Sequence, residues 1–366
     1  MRSATRSRPR CSRRWTAPTS RPSSPRCGGW PRRTALPCTP STGRLRRVAD
    51  EDVAGALQAW LAARGEDAGV RCTGRATVGL SQDTWFVRVD REGAAVDAVL
   101  RLPTPASGPR AIRTQRAALQ AVAGRVPAPG LLWHDDGDDN PFGRPFLVME
   151  RIAGTVPVGW HDLGEPERAA LAADAVDTLA ALHRIAPGDL DAPEVGPGEA
   201  PTELEFYARR LERLGELPAV LRGALWWLAR HEPAPLRSAL VHGDFRMGNM
   251  IVADGRLAAV LDWEMAGAGD PLSDLAWCFI PVWEPAGVDE AALVERYAQA
   301  TGAPVDAGRL HWHRVLGYVR CAYYNLAGVR AFARGHSDDL RLAALAHQLP
   351  VHLDRLAATL AGEAIT

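Results

Sequence analysis

The chain has 366 residues, 46% of them hydrophobic, and its 43 basic residues balance its 43 acidic ones. This length suffices for two packed lobes or domains, while no apolar run approaches the ~20 residues that cross a bilayer. We therefore expect a cytoplasmic protein that does not span a membrane. Every basic residue is an arginine, and the absence of lysine excludes Schiff-base chemistry and the lysine-containing phosphate loop. The six cysteines lack C-x-x-C and Cys/His spacing, which argues against a zinc site and a disulfide framework.

Residues 1–47 differ in kind from the rest of the chain. They contain thirteen arginines and no acidic residue, so the other 319 residues carry thirty arginines against 43 acids. A segment so rich in Arg, Ser and Pro buries too little apolar surface to offset its ordering entropy, and it is predicted to be disordered. A nucleic-acid-binding arm, a transit peptide and a segment without function are all compatible with this composition. For residues 48–366, the acidic body of the chain, we expect no nucleic-acid partner.

The first part of the body predicts a small, mostly antiparallel sheet with one inserted helix. A helix starts at Asp50 and closes at Gly65. Strand-like stretches then alternate with turns, and one helical stretch lies between them. In chain order these are the strands 75–90 and 94–103, the helix 112–123, and the strands 130–135 and 144–152.

Beyond Ala153 the pattern becomes mostly helical, and a polar hairpin interrupts the helices. A sheet lobe joined by a short connector to a helical lobe predicts a ligand site in the cleft between them. The helical candidates are 165–185, 202–214, 218–230, 289–301, 308–334 and 338–361.

The hairpin is the stretch LVHGDFRMGNMIVADGRLAAVLDWE, residues 240–264. Its Ala-Asp-Gly at 253–255 predicts a tight turn between two short apolar strands. Such a hairpin brings Asp244, Asn249 and Asp262 to one end. Two carboxylates and a carboxamide suit a hard cation such as Mg²⁺, which takes a few protein oxygens and keeps other positions for water and phosphates.

The spacing of these residues matches a known phosphoryl-transfer template. The protein-kinase catalytic loop reads H-R-D-x-x-x-x-N and is followed by a metal-binding Asp. Here His242, Asp244 and Asn249 keep the loop spacing, and Asp262 follows eighteen residues after Asp244. A carboxylate beside such a metal can also orient a hydroxyl and accept its proton late in the reaction.

The segments HGDFRMGNMI and VLDWEMAGAGDPLSDLAW are similar to the H-G-D-x-x-x-x-N and D-[WFY]-E-x-[AS]-x-x-G-D-P-x-x-D-L-A segments of the aminoglycoside phosphotransferase family. The chain resembles that family over roughly residues 55–285. Within the family it most resembles the kinase-like domains that occur alone in bacteria or fused to some acyl-CoA dehydrogenases. The resemblance implies an α+β, two-lobed protein-kinase-like fold. A small N-terminal antiparallel sheet lobe with one helix precedes a larger, mostly helical C-terminal lobe.

The resemblance also implies a division of the chain and a set of cofactors. After the tail we expect a nucleotide-binding lobe at 48–153 and a C-terminal lobe at 154–366 that carries the catalytic loop and the acceptor site. Asp244 matches the catalytic aspartate that orients the substrate hydroxyl, and Asn249 and Asp262 match the metal ligands. The cofactors implied are ATP, or GTP, and Mg²⁺.

Three further residues match positions that support the loop. His242 matches the loop-anchoring histidine, for which a structural role is expected. Asp270 and Asp274 match the D-P-x-x-D-L-A segment, where the second aspartate is expected to brace the catalytic loop through its backbone N–H groups.

The N-terminal lobe departs from the kinase pattern at its phosphate-binding ion pair. Kinases of this shape pair a strand Lys with a helix Glu. Here Arg101 stands at the Lys position and Gln115 at the Glu position. A guanidinium can hold phosphate directly, and a neutral amide can orient it without a full ion pair. A surface arginine beside an unrelated glutamine is the alternative interpretation.

Two other segments match parts of the nucleotide site. The turn with Gly79 and Ser81 falls where the family has its glycine-containing phosphate-covering turn. The segment FLVMERIAG resembles the hinge, in which backbone groups near Glu150 and Ile152 would meet the adenine edge.

The sequence therefore predicts a Mg²⁺-dependent phosphotransferase that moves the ATP γ-phosphate to a hydroxyl of a small molecule. Two alternatives stay open: a nucleotide- or metabolite-binding pseudokinase without turnover, and a Mg²⁺-dependent phosphohydrolase. The tryptophans of the helical part, among them Trp277 and Trp312, are expected in the core, although some of those after Asp262 could line the acceptor pocket.

Overall fold

A computed structural model of the chain describes residues 50–76, 82–91, 93–104, 107–157, 163–191, 202–234, 236, 238–280 and 288–362. The predicted tail and the predicted phosphate-covering turn with Gly79 and Ser81 lie outside these ranges. The described residues form the expected α+β, two-lobed protein-kinase-like architecture. None of their helices is both long and apolar enough to cross a bilayer.

The N-terminal lobe is a five-stranded antiparallel sheet in the order β1-β2-β3-β5-β4, with one helix inserted between β3 and β4. Alternate residues of β2, Trp85, Val87 and Val89, are buried, and they pack in one cluster with Val53 and Leu57 of the first helix. The elements are α1 Asp50–Ala62, β1 Gly69–Arg75, β2 Gln82–Arg91, β3 Ala94–Pro103, α2 Gly108–Val122, β4 Leu131–Asp135 and β5 Phe146–Glu150.

The sequence pattern placed the first strand too late, because it predicted that the first strand starts at Arg75. Strand β1 ends there and pairs with β2 along its length. Its residues alternate between exposed and half-buried, because it lies at the edge of the sheet and contributes little to the core. An edge strand of this kind carries a weak apolar signal.

The C-terminal lobe is mostly helical, and aspartates cap several of its helices. Asp270, Asp289 and Asp306 each accept a backbone N–H of the first turn that follows, which satisfies a donor that the helix itself leaves unpaired. The helices are α3 Glu165–Leu182, α4 Glu203–Leu214, α5 Ala219–Arg230, α6 Pro271–Cys278, α7 Glu290–Thr301, α8 Ala307–Ala333, α9 Leu340–Ala344 and α10 Gln348–Ala361.

Three of these helices, α6, α9 and α10, differ from the prediction. The single helix expected at 338–361 is divided by a one-turn 3₁₀ helix, Leu345–His347, into α9 and α10. Helix α6 was not predicted. Its eight residues span about two turns, which is too short for an apolar period to stand out.

Four short strands complete this lobe and carry the polar stretch. Strand β6 Ala239–Val241 pairs with β9 Gly267–Gly269, and β7 Met250–Ala253 forms a hairpin with β8 Arg256–Val260. A continuous buried cluster contains Ile112 of α2, Leu147 of β5, Leu179 of α3 and Trp263 after β8. One buried cluster therefore spans the sheet lobe and the helical lobe.

The connector between the lobes is fixed to the hairpin by backbone hydrogen bonds. The Thr155 N–H donates to the Val252 carbonyl at 2.9 Å, and the Val252 N–H donates to the Thr155 carbonyl at 2.8 Å. Gly154 precedes this bridge with φ of 133°, and a Cβ there would lie 2.5 Å from the Val252 oxygen. Only glycine fits this close approach and this backbone conformation.

We predict that Gly154→Ala lowers the free energy of unfolding by at least about 1–3 kcal/mol, the cost of a strained backbone conformation. Gly223→Ala is the matched control, because Gly223 lies in α5 with open space around its Cβ position. The control should gain about 0.5–1 kcal/mol through helix propensity. Urea unfolding measures both, and equal stability of the two variants would contradict the fit at Gly154.

Candidate active site

The tight turn predicted in the polar hairpin is present between β7 and β8. Asp254 and Gly255 both have positive φ, 51° and 71°, as the hairpin turn that matches strand twist requires. Asn249 immediately precedes β7, and Leu261 and Asp262 immediately follow β8. The Leu261 N–H donates to the Asn249 carbonyl at 2.7 Å, so the hairpin brings the Asn249 and Asp262 segments together.

His242 joins the catalytic-loop segment to the end of β8. The fully buried ring lies 2.9 Å through Nε2 from the Leu261 carbonyl, and Nδ1 lies 3.1 Å from the Asp244 backbone nitrogen. A carbonyl only accepts and a backbone N–H only donates, so the proton of the neutral ring sits on Nε2. His242 thereby fixes Asp244 relative to the residue that precedes Asp262.

The Asp244 carboxylate is held by four donors. Its Oδ2 accepts from the Asn249 side-chain amide at 2.9 Å and from Arg246 Nε at 3.2 Å. Its Oδ1 accepts from Trp277 Nε1 at 2.9 Å and from Arg320 Nη2 at 3.4 Å. Donors on both oxygens fix the direction of the carboxylate.

Arg246 and Arg320 are site residues that the sequence analysis missed. Arg246 follows Asp244 by two residues, so its position inside the loop was the available signal. Arg320 lies on α8, 5% exposed, with its guanidinium carbon 3.8 Å from the centroid of the Trp277 ring. Arg320 is the one arginine in the mostly apolar stretch 315–329 of α8. This was a signal too, because a charge is buried only where it is paired.

Arg101 contacts both Gln115 and Asp262. Its Nη1 donates to Gln115 Oε1 at 3.1 Å and to Asp262 Oδ1 at 2.9 Å. The first contact is the one proposed from sequence, whereas the ion pair with Asp262 was not expected. Asp262 has φ of 68° and ψ of 54°, a left-handed conformation that aspartate adopts more readily than most residues. The Arg101 guanidinium thus joins strand β3 to helix α2 and to the segment after β8.

Asp274 lies beneath the catalytic loop, fully buried. Its Oδ2 accepts the His242 backbone N–H at 2.6 Å and its Oδ1 accepts the Gly243 N–H at 2.9 Å. These are the backbone contacts expected of it from sequence. Burial alone raises the pKa of a carboxyl, but hydrogen bonds from His183 and from the loop outweigh burial and hold the pKa of Asp274 below its usual range.

Asp270 contacts no residue of the catalytic loop in the described contacts and instead anchors α6 to α8. Its Oδ1 caps the Leu272 N–H at 3.0 Å, and its Oδ2 pairs with Arg309 and with His313. Burial opposes its ionisation, yet the contacts with His313 and Arg309 lower the pKa of Asp270 to about 2. The structural role expected for Asp270 stays a prediction.

The segment predicted as the hinge begins within β5, whose last residue is Glu150. The Glu150 N–H donates to the Gly130 carbonyl at 2.8 Å, and the Glu150 carboxylate accepts the Gly130 N–H at 3.1 Å. The Glu150 N–H is therefore engaged within the sheet lobe. If adenine meets this segment as the sequence predicts, the backbone groups left to contact it are the Glu150 carbonyl and those of Ile152.

A cavity of about 650 Å³ is lined by Gly243, which precedes Asp244, and by Trp277 and Arg320, which both donate to the Asp244 carboxylate. Its lining includes Tyr207, Met265, Trp277, Trp312 and Arg320, from α4, α6, α8 and the segment between β8 and β9. Trp277 and Trp312 are both buried, as expected from sequence, and both also line this cavity. Its size falls in the range of small-molecule sites.

Within the described ranges, no group of three or more His, Cys, Asp or Glu side chains is placed to hold a metal ion. Asn249 and Asp262 offer oxygen donors, the kind that Mg²⁺ takes when phosphates and water supply the remaining positions.

Curated relatives match part of this chain. Acyl-CoA dehydrogenase family member 11 of Gallus gallus is 33% identical over 148 residues, which cover 38% of this chain and 19% of that protein. Viomycin phosphotransferase of Streptomyces vinaceus is 35% identical over 173 residues, 43% of this chain and 58% of that protein. The chain thus spans about a fifth of the acyl-CoA dehydrogenase relatives it matches.

Solved structures match the fold over most of its length. A Ralstonia eutropha protein that carries the aminoglycoside phosphotransferase designation superposes with a TM-score of 0.69 at 22% identity, covering 83% of this chain and 97% of that one. The GDP complex of wild-type aminoglycoside 2'-phosphotransferase-IIIa superposes with a TM-score of 0.60 at 15% identity, covering 82% and 99%.

The family profile described as "Phosphotransferase enzyme family" matches residues 75–318, two thirds of the chain. The match includes β2 to β9 and ends within α8. The chain belongs to the phosphotransferase enzyme family.

Proposed function

We propose that this protein transfers the γ-phosphoryl group of ATP, or of GTP, to a hydroxyl of a small molecule with Mg²⁺ as cofactor. The observation that carries the proposal is that Asp244, Asn249 and Asp262 lie at one end of the hairpin, where Asn249 contacts Asp244 and Arg101 contacts Asp262. A cavity of small-molecule size adjoins them. The GDP-bound relative supports nucleotide use in this fold.

Asp244 is the proposed acceptor-orienting carboxylate. An acceptor bound in the neighbouring cavity would donate its hydroxyl to Asp244, whose direction Trp277 and Arg320 hold from the cavity side. In transfer, the bond from the bridging oxygen to the γ-phosphorus breaks as the acceptor oxygen bonds to that phosphorus. The hydroxyl proton passes to Asp244, and ADP leaves.

Asn249 and Asp262 are the residues proposed to hold the metal. When bound, Mg²⁺ neutralises charge on the β- and γ-phosphates. The Asn249 side-chain NH₂ already donates to Asp244. The side-chain oxygen of Asn249, Oδ1, is therefore the atom available to bind a cation. The ion pair of Asp262 with Arg101 keeps a metal-binding carboxylate compensated until the cation and nucleotide arrive together.

Arg101 is proposed to contact the α- and β-phosphates, with Gln115 steadying it. A guanidinium presents a planar fork of donors that matches phosphate oxygens. The proposed adenine contacts are the backbone groups of Glu150 and Ile152, and Gly79 and Ser81 are proposed for the phosphate-covering turn. The nucleotide would then lie between a sheet lobe at 48–153 and a helical lobe at 154–366.

A nucleotide-binding protein without turnover is the second candidate. The observation that favours it is the Arg101–Asp262 ion pair at 2.9 Å, because it engages a proposed metal ligand through the residue that stands at the Lys position. Isothermal titration with ATP and Mg²⁺, followed by ADP release with and without alcohols, separates the two. Release that is independent of any alcohol would indicate a phosphohydrolase instead.

The test of the proposed function is a screen of hydroxylated metabolites for acceptor-dependent ADP formation, repeated with Asp244→Asn. The variant should keep nucleotide affinity within a few fold while turnover falls by roughly 10²–10⁴, since a positioned base is lost. Binding of nucleotide by both proteins with acceptor-dependent turnover by neither would favour the candidate without turnover. Near-normal turnover by Asp244→Asn would remove Asp244 from its proposed role.

The Arg101 and Gln115 pair predicts a coupled mutational response. Arg101→Ala should raise the KM for nucleotide and lower kcat together, because phosphate contacts both bind and orient the nucleotide. Arg101→Lys should recover part of the loss, since an ammonium lacks the planar fork. Arg101→Lys with Gln115→Glu should recover more than Arg101→Lys alone, because it rebuilds an ion pair in place of the 3.1 Å contact. Strict additivity of the two changes would contradict functional coupling of the pair.

A further inference from the structure

A side-chain hydrogen bond joins the two lobes beside the site described above. Gln82, the first residue of β2, donates through Nε2 to Glu264 Oε2 at 2.5 Å, although the two residues are 182 positions apart in sequence. Glu264 lies two residues after Asp262, in the one-turn 3₁₀ helix Trp263–Met265. A carboxylate accepts hydrogen bonds, so the amide nitrogen of Gln82 is the group that faces it. This contact is called the Gln82–Glu264 bridge below.

Neighbouring strands of the sheet lobe send two side chains to the same short segment of the helical lobe. Thr84 of β2 stands opposite Arg101 of β3 in the antiparallel register, and Gln82 stands two residues before Thr84. Residues two apart on a strand share a face, as do residues directly opposite each other, so Gln82 and Arg101 lie on one face of the sheet. Arg101 contacts Asp262, and Gln82 contacts Glu264. The two contacts therefore run side by side, where the proposed function places the metal and the phosphates.

The burial of Gln82 does not serve its own hydrogen bonding. Gln82 is 6% exposed, and its Oε1 is enclosed without a hydrogen-bond partner among the described residues. Buried polar groups are usually paired, and an unsatisfied acceptor lowers stability. The contact of its nitrogen with Glu264 is therefore what this buried glutamine provides, and the stability of the fold is not what it improves.

We propose that the Gln82–Glu264 bridge is a gate on the nucleotide site. This inference rests on the proposed function, which places the phosphates beside Arg101 and Asp262. The bridge is closed in the structure, so a nucleotide enters only after the bridge opens, and it leaves only after the bridge opens again. A contact that is formed both before and after binding leaves the affinity unchanged, because a ligand shifts an equilibrium only through its difference in affinity between states. The bridge sets the rates of entry and release instead.

The test is stopped-flow binding and displacement of a fluorescent ADP in the presence of Mg²⁺, which measures the association rate, the dissociation rate and their ratio, Kd. Gln82→Met removes the donor and keeps the length of the side chain. Both rates should rise by roughly 10–100-fold, the range for one hydrogen bond to a charged group, while Kd stays within a few fold. Gln299→Met is the matched control, because Gln299 donates to Glu295 at 2.9 Å on the exposed face of α7. The control should match the parent protein.

Exchange of the two side chains tests the pairing itself. Gln82→Glu alone places two carboxylates at the 2.5 Å contact, so the gate should stay open and both rates should rise at least as far as in Gln82→Met. Gln82→Glu together with Glu264→Gln restores an amide–carboxylate hydrogen bond in the reverse direction. The double variant should return both rates towards the parent values, whereas independent, additive effects of the two changes would overturn the proposal.

Thermal unfolding separates the gate from a purely structural role. Gln82→Met removes the unsatisfied acceptor along with the donor, and the half-buried Glu264 keeps access to water, so the unfolding temperature should be unchanged or higher. Lower stability with unchanged rates would overturn the proposal, as would a Kd that weakens in step with the dissociation rate alone. If Gln82→Met does not fold, the exchanged pair carries the test.

Failure of the gate and failure of the proposed function are distinguishable. A parent protein that binds no ADP would overturn the proposed function itself. A parent protein that binds ADP, with the same two rates in a folded Gln82→Met variant, would overturn only the gate.

Discussion

The geometry of the site depends on one buried imidazole. His242 accepts the Asp244 N–H and donates to the Leu261 carbonyl, so it links the loop that carries Asp244 to the strand end that carries Asp262. A second buried group, the Asp274 carboxylate, fixes the same loop through two backbone N–H groups. A buried polar network fixes geometry only when its members are paired, and here the ring and the carboxylate each have partners on two sides. This network joins the Asp244 segment to the Asn249 and Asp262 segments, which the hairpin itself brings together.

Arginine side chains supply the positive charges that contact the aspartates of this site. Arg101, Arg246 and Arg320 contact the two key aspartates from three directions: the sheet lobe, the catalytic loop and helix α8. A guanidinium stays charged when buried and donates in a fixed plane, so it can hold a carboxylate now and a phosphate later. The Arg101–Asp262 pair is of this exchangeable kind in the proposed function.

Much of the fold and of the site followed from local sequence pattern, and the exceptions have physical causes. Seven helices, α1 to α5, α7 and α8, and the hairpin turn carry their own periodicity, caps or turn residues, so the sequence predicted them. The edge strand β1 was placed too late because its apolar signal is weak, and helix α6 was missed because its two turns show no apolar period, although Asp270 caps it. Asp244, Asn249 and Asp262 lie in one motif. Arg320 stands 76 residues from Asp244 and meets it only through the packing of α8, which no local spacing encodes.

The most direct test of a metal–nucleotide site is the Mg²⁺ dependence of ATP affinity in Asp262→Asn, measured by isothermal titration with Mg²⁺ and with a chelator. The carboxylate charge aims at the cation, so the variant should lose most of the affinity that Mg²⁺ adds. Its metal-free affinity should stay the same or rise, because Arg101 is released from its 2.9 Å ion pair and becomes available to phosphate. Equal weakening with and without the metal would contradict the assignment of Asp262, and with it the account of this site.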